Sequence, residues 1–159
     1  MNNTSSPLPS TALAEGVPLG RLPGLVGYAL RRAQAAVFHD LHAALEPEDI
    51  RATQFAVLEV LHAGPGFRAN QVSAALGIRT TNFVPLFDAL EVRGLVERRA
   101  MAGDRRAKGL FLTEAGAALL GRLGALVAAH EARFAARVGV EGKAQLLGLL
   151  ARLGNTAFD

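Results

Sequence analysis

The sequence predicts a mainly α-helical fold with a small β-hairpin wing: a winged helix-turn-helix core flanked by long N- and C-terminal helices. Three observations carry that expectation. Apolar residues recur at helical spacing over long segments at both ends of the chain. Two short helical segments in the middle are joined by only three or four residues. A strand-turn-strand pattern follows them directly.

With 159 residues, half of them apolar and only 6% aromatic, the chain has room for one real core and suits closely packed helices. Residues 1–20, rich in Ser, Thr, Pro and Gly, are expected to form a flexible arm before a single domain over 21–159. They lack a basic start and a continuous apolar core, so no secretory leader is expected and a cytoplasmic setting is. The most apolar window, 110–129, is broken by Thr113, Glu114 and Arg122, which argues against a membrane span. The absence of cysteine excludes thiol catalysis, thiolate metal sites and thiol-based peroxide sensing. There is no Gly-rich phosphate loop, HExxH or nucleophile elbow, so no enzyme, cofactor or metal site is expected.

The first helix follows from Leu22, Leu25, Val26, Leu30, Ala33, Val37, Leu41 and Leu45, a helical period over about 21–45 that Pro47 ends. A second opens at 51–53, runs through Phe55, Val57, Leu58 and Leu61, and stops at Gly64–Gly66. Residues 68–77 form a short third helix with Val72, Ala75 and Leu76 inward and Gly77 at its end. Thr80, Thr81 or Asn82 can cap the fourth, which carries Phe83, Val84, Phe87, Leu90 and Val92. Segments 95–99 and 108–112 flank a turn at 102–104, so the winged core spans about 53–113. Thr113 is the expected cap of a long helix, broken at Gly139, with the terminal helices filling about 114–154. Those helices and the first are more apolar than the core needs, which predicts a homodimer.

Charge is concentrated between Arg93 and Lys108. That segment holds six basic residues against two acidic ones, a local charge of +4, whereas the whole chain carries +3. A basic patch on a nearly neutral body suits docking onto a polyanion, and this architecture offers a helix for the major groove of double-stranded DNA. A solvated charged loop, or a winged-helix module that binds protein or binds DNA non-specifically, is the competing reading.

The strings TQFAVLEVL (53–61), NQVSAALGIRTTNFVPLFDALEVRGLVERR (70–99) and DRRAKGLFLTEAG (104–116) resemble the MarR family of transcriptional regulators. The most specific part is Asp104-x-Arg106 followed by Leu112-Thr113-x-x-Gly116. The resemblance implies a dimeric DNA-binding regulator, in most cases a repressor released by an aromatic acid, a phenolic compound or an acyl-CoA thioester. An activating or ligand-independent regulator is the alternative.

By that similarity the fourth helix enters the major groove with Arg79, Thr80, Thr81 and Asn82. Arg79 suits guanine, Asn82 suits adenine, and the threonines suit phosphate or a thymine methyl. Gln71 and Ser73 are candidate phosphate contacts. In the wing, Arg106 is expected in the minor groove, oriented by Asp104, while Arg98, Arg99, Arg105 and Lys108 neutralise the backbone. Pro85 departs from the pattern and favours a late start of the regular helix, at Asn82. Tyr28, Arg31, Arg32, His39, His42, Phe55 and His62 are candidates for an effector pocket, since an acidic aromatic ligand needs a cation beside apolar walls.

Overall fold

The computed structural model describes residues 17–101 and 104–154, with only the backbone of 104–107. The chain divides into two compact units, 1–36 and 37–159. Within the first, a 3-10 turn at Leu22–Gly24 holds Pro23 in its opening positions and leads into α1, Val26–Leu45. Of residues 26–36, Tyr28 alone is half-buried and the others are exposed.

In the second unit the remainder of α1 ends in a 3-10 turn, Glu46–Glu48, containing Pro47, and Asp49 follows with φ 50°. Five helices and a hairpin complete the order: α2 (Ala52–Ala63), α3 (Ala69–Ala75), α4 (Thr80–Val92), β1 (Val96–Met101), β2 (Asp104–Leu112), α5 (Glu114–Val138) and α6 (Val140–Gly154). The core gathers Leu45, Val57, Leu58, Leu61, Val72, Phe83, Phe87, Leu90, Val96, Leu110 and Leu123, drawn from every element between α1 and α5. Each such side chain contributes about 1.5–3 kcal/mol when it leaves water.

Glutamines three residues in cap α2 and α3. The Gln54 amide oxygen accepts the Arg51 N–H at 2.9 Å, and Gln71 does the same for Arg68 at 2.9 Å. This satisfies a backbone donor that the first turn would leave open. The α3–α4 turn depends on Gly77, whose φ of 64° is open to glycine at no steric cost. Ile78 then donates its N–H to the Ser73 carbonyl at 2.8 Å.

Helix α4 starts earlier than Pro85 suggested. Regular helix begins at Thr80, with Arg79 as the flanking residue in extended backbone and no side-chain cap. None of Thr80, Thr81 and Asn82 caps it. The proline therefore lies in the second turn, where it withholds the N–H that Thr81 would otherwise receive. On α3, Ala75 faces out and Ser73 is buried instead, because the helix turns Val72 and Ser73 together toward α4. Val84 and Val92 of α4 are also exposed, at 42% and 88%.

The strands are antiparallel and longer than expected, pairing Val96 with Leu112 and Ala100 with Lys108, with a register shift between Ala100 and Met101. The base of the hairpin is pinned to the α2–α3 linker. Gly66 donates to the Leu110 carbonyl at 2.8 Å, and Leu110 donates to that of Phe67 at 2.9 Å. Beyond β2, the Thr113 hydroxyl accepts the Gly116 N–H at 3.0 Å and donates to the Gly94 carbonyl at 2.7 Å. Gly116 is buried where a Cβ would stand 2.0 Å from the Leu95 carbonyl oxygen. The specific Thr-x-x-Gly string is thus the joint between α5 and the start of the wing.

Candidate nucleic-acid interface

Helix α4 presents Arg79, Thr80, Thr81 and Asn82 as consecutive exposed residues at its N-terminal end. Free N–H groups and the positive end of the helix dipole lie there, which suits an anionic backbone. Thr81, Val84, Pro85 and Asp88 share one outward face by helical spacing. Asn82 turns toward α2 and lines a cavity of about 550 Å³ with Thr53, Gln54, Pro85, Ala89 and Arg93.

The two phosphate candidates on α3 differ. Gln71 is exposed, and its amide oxygen is committed to the Arg68 N–H, leaving the amide NH2 as its donor. Ser73 is 2% exposed, and its hydroxyl meets the Asn70 carbonyl at 3.1 Å and the Thr80 hydroxyl at 3.4 Å. Burial therefore moves Ser73 from the phosphate-contacting set to the α3–α4 joint. Sequence spacing did not reveal this, because the apolar pattern marked Val72, Ala75 and Leu76 as the inward positions and serine is more often exposed.

The wing arginines are also tied down. The Arg98 guanidinium pairs with Glu91 and reaches Asp88 at 2.5 Å, and its backbone N–H donates to Glu91 at 3.0 Å. Its Cζ lies 4.5 Å from the centre of the Phe87 ring. Arg99 pairs with Glu97 through its Nε at 2.9 Å and stands 4.9 Å from the Phe111 ring centre. The hydrogen bond and charge of Glu97 push the Arg99 pKa further up, so it stays charged. Lys108 is exposed. The side chains of Asp104, Arg105 and Arg106 lie outside the described residues, as does the turn at 102–103.

Of the effector-pocket candidates, the structure brings His39 and His42 together. They line a cavity of about 530 Å³ with Ala43, Glu46, Asp49, Ile50 and Arg51. Arg51 was missed in the sequence, where it reads as a helix-flanking residue. Phe55 is half-buried against the core and His62 is exposed in the last turn of α2; neither lines that cavity. Tyr28, Arg31 and Arg32 belong to the first unit.

The loop that walls this cavity is held from two sides. Arg93, just past α4, donates to the carbonyls of Asp49 at 2.6 Å and Glu48 at 3.1 Å. Arg122 of α5 grips the Glu48 carboxylate with two bonds, at 2.8 and 3.0 Å, which lowers the Glu48 pKa. Further along α5, His130 is buried and meets Asp40 of α1 at 2.6 Å, with Arg133 on the same carboxylate oxygen at 2.9 Å. These two partners hold Asp40 below the usual carboxylate range, His130 first.

A short helix, a tight turn, an exposed second helix and a basic hairpin define a winged helix-turn-helix of the DNA-binding kind. The MarR family model matches residues 48–107, the stretch from α2 into the wing. The chain is 41% identical to a transcriptional repressor, CouR, solved on a 23-mer DNA duplex, with TM-score 0.84 over 87% of this chain and 99% of that one. It is 38% identical to CouR solved with p-coumaroyl-CoA, with TM-score 0.83 over 89% and 99%. A putative transcriptional regulatory protein for the hcr operon of Thauera aromatica is 29% identical over 135 residues, 84% of this chain and 81% of that protein. The chain belongs to the MarR family and is a DNA-binding transcriptional regulator. Its family and fold place it among regulators, not enzymes.

Proposed function

We propose that the protein is a homodimeric repressor that holds an inverted-repeat DNA site and releases it when an aromatic acyl-CoA thioester binds. The observation that carries this reading is near full-length similarity to a repressor solved both on DNA and with p-coumaroyl-CoA. Local chemistry supports it. Arg79, Thr80 and Thr81 stand exposed at a helix N-terminus, and the wing supplies Arg105, Arg106 and Lys108 for a minor groove and its phosphates. Arg106 is assigned the minor groove and Asp104 its orientation. Asn82 and Gln71 add polar donors at the edge of this surface.

Apolar faces on the terminal helices support the dimer. Leu22, Leu25, Val26 and Leu30 are exposed in the first unit, and Leu147, Leu149, Leu150 and Leu153 on α6. A second copy that covers them also sets two recognition helices about one DNA turn apart. For the effector, Arg51 offers a cation, and His39 and His42 offer ring hydrogen-bonding groups, in the cavity they line.

The test is selection of duplexes from a random pool at about 150 mM salt, where backbone contacts alone hold weakly. The enriched duplex is then titrated with p-coumaroyl-CoA and, separately, with free p-coumarate. Enrichment of an inverted repeat, and release by the thioester at far lower concentration than by the acid, is the expected result. Release by the acid alone would reassign the effector, and no enrichment would overturn the repressor reading.

A further inference from the structure

Helix α4 carries two acidic residues, Asp88 and Glu91, one turn apart on a helix assigned to a polyanion's groove. Both are bound by one residue of β1. One arm of the Arg98 guanidinium pairs with Glu91 and the other with Asp88, its Cζ sits over the ring of the neighbouring Phe87, and its backbone N–H donates to Glu91. Three successive contacts from one side chain thus span a turn of α4, and Phe87 beneath them is fully buried in the core. The Arg98 side chain is only 25% exposed. A guanidinium already facing two carboxylates has little charge left to offer a phosphate. It is well suited to fixing the angle between a helix and a strand, because its planar fork has one preferred orientation.

We propose that Arg98 is a positioning residue: through Asp88 and Glu91 it locks the recognition helix to the wing, so that both reach the same DNA site together. It acts on DNA through α4 and touches no phosphate. This rests on the DNA-binding reading above and makes a demand that a backbone-neutralising arginine does not. Lysine in its place keeps the charge and loses the fork.

The experiment measures affinity for the selected duplex and for a random duplex of equal length, each against salt, in R98K, R98A, E91Q and R98K/E91Q, with melting temperatures to confirm folding. R98K and E91Q should each lower the ratio of specific to random affinity about tenfold, the size of coupling expected between contacting residues. The double variant should be no worse than R98K, and the salt slopes should match the wild type. If R98K binds as the wild type while R98A loses about one unit of slope, Arg98 is a phosphate contact and the proposal falls. Lower melting temperatures with an unchanged affinity ratio would reduce Arg98 to a purely structural role and overturn it equally. A wild type with no preference for any duplex overturns the DNA-site reading itself, and this inference with it.

Discussion

Single residues decide how the wing meets the helices. Gly116 lies 2.0 Å, measured from the Cβ it lacks, from the Leu95 carbonyl, and that backbone cannot retreat without dragging β1. Gly116→Ala should therefore cost about 2–3 kcal/mol or more by overpacking, read as a lowered denaturant midpoint. A neutral result would mean that α5 can slide. At the opposite end of α5, Asp40 is held ionised by His130 and Arg133. A carboxyl whose folded pKa is depressed adds stability above its unfolded value, near 3.8, and loses it as the pH falls through the folded one. Thermal melts of the wild type should thus decline below about pH 4, more steeply than those of Asp40→Asn. Parallel curves would show that the pair adds nothing to stability. In the wing, Arg106→Ala is expected to weaken DNA binding and reduce any preference for A·T-rich flanks, since a narrow minor groove attracts arginine. Unchanged affinity would remove Arg106 from the interface.

At the scale of elements, α4 is the least ordinary piece. It runs through Pro85 for 13 residues, giving up one backbone bond near its N-terminal end. Pro85→Ala restores that donor on an exposed face and should stabilise the protein by about 1–3 kcal/mol. An unchanged melting temperature would mean that a bend already absorbs the loss. Periodicity exposed nearly every element here: α2, the short α3 and the long α5 stand where apolar spacing put them, whereas α1 begins only at Val26 and the strands of the hairpin run longer than the pattern suggested. What it could not supply was the start of α4, because proline argues locally for a break while the burial of Phe83 and Phe87 holds the turn before it in helix. The site was legible in part. The exposed run Arg79–Asn82 follows from the turn chemistry around Gly77. The inward turn of Ser73 and the engagement of Arg98 depend on partners seven residues away, beyond what one element's spacing reveals. The pair Asp88 and Glu91, at i and i+3, was nonetheless a visible hint that some cation had to answer them.

For the whole molecule, α6 leaves several large apolar side chains open to water. Val140 at 82%, Leu147 at 57% and Leu149 at 50% form more open apolar surface than a lone chain needs. Substituting Leu147 and Leu150 together with glutamate should shift the protein from dimer to monomer in sedimentation and abolish binding to an inverted repeat. A half-site, which needs one recognition helix only, should lose far less. A dimer that persists would move the interface elsewhere.

The loop at 46–51 is bolted to the end of α4 by Arg93 and to α5 by Arg122, and it also walls the cavity beside His39 and His42. Any displacement of it would strain the contacts that tie it to the end of α4, the helix proposed to read DNA. Thermodynamic reciprocity then sets a symmetrical bargain. If a guest in that cavity weakens DNA affinity by some factor, DNA must weaken the guest's affinity by the same factor. An operator-bound protein would consequently be a poorer sensor than a free one, so the concentration at which the signal registers would rise with the number of occupied sites.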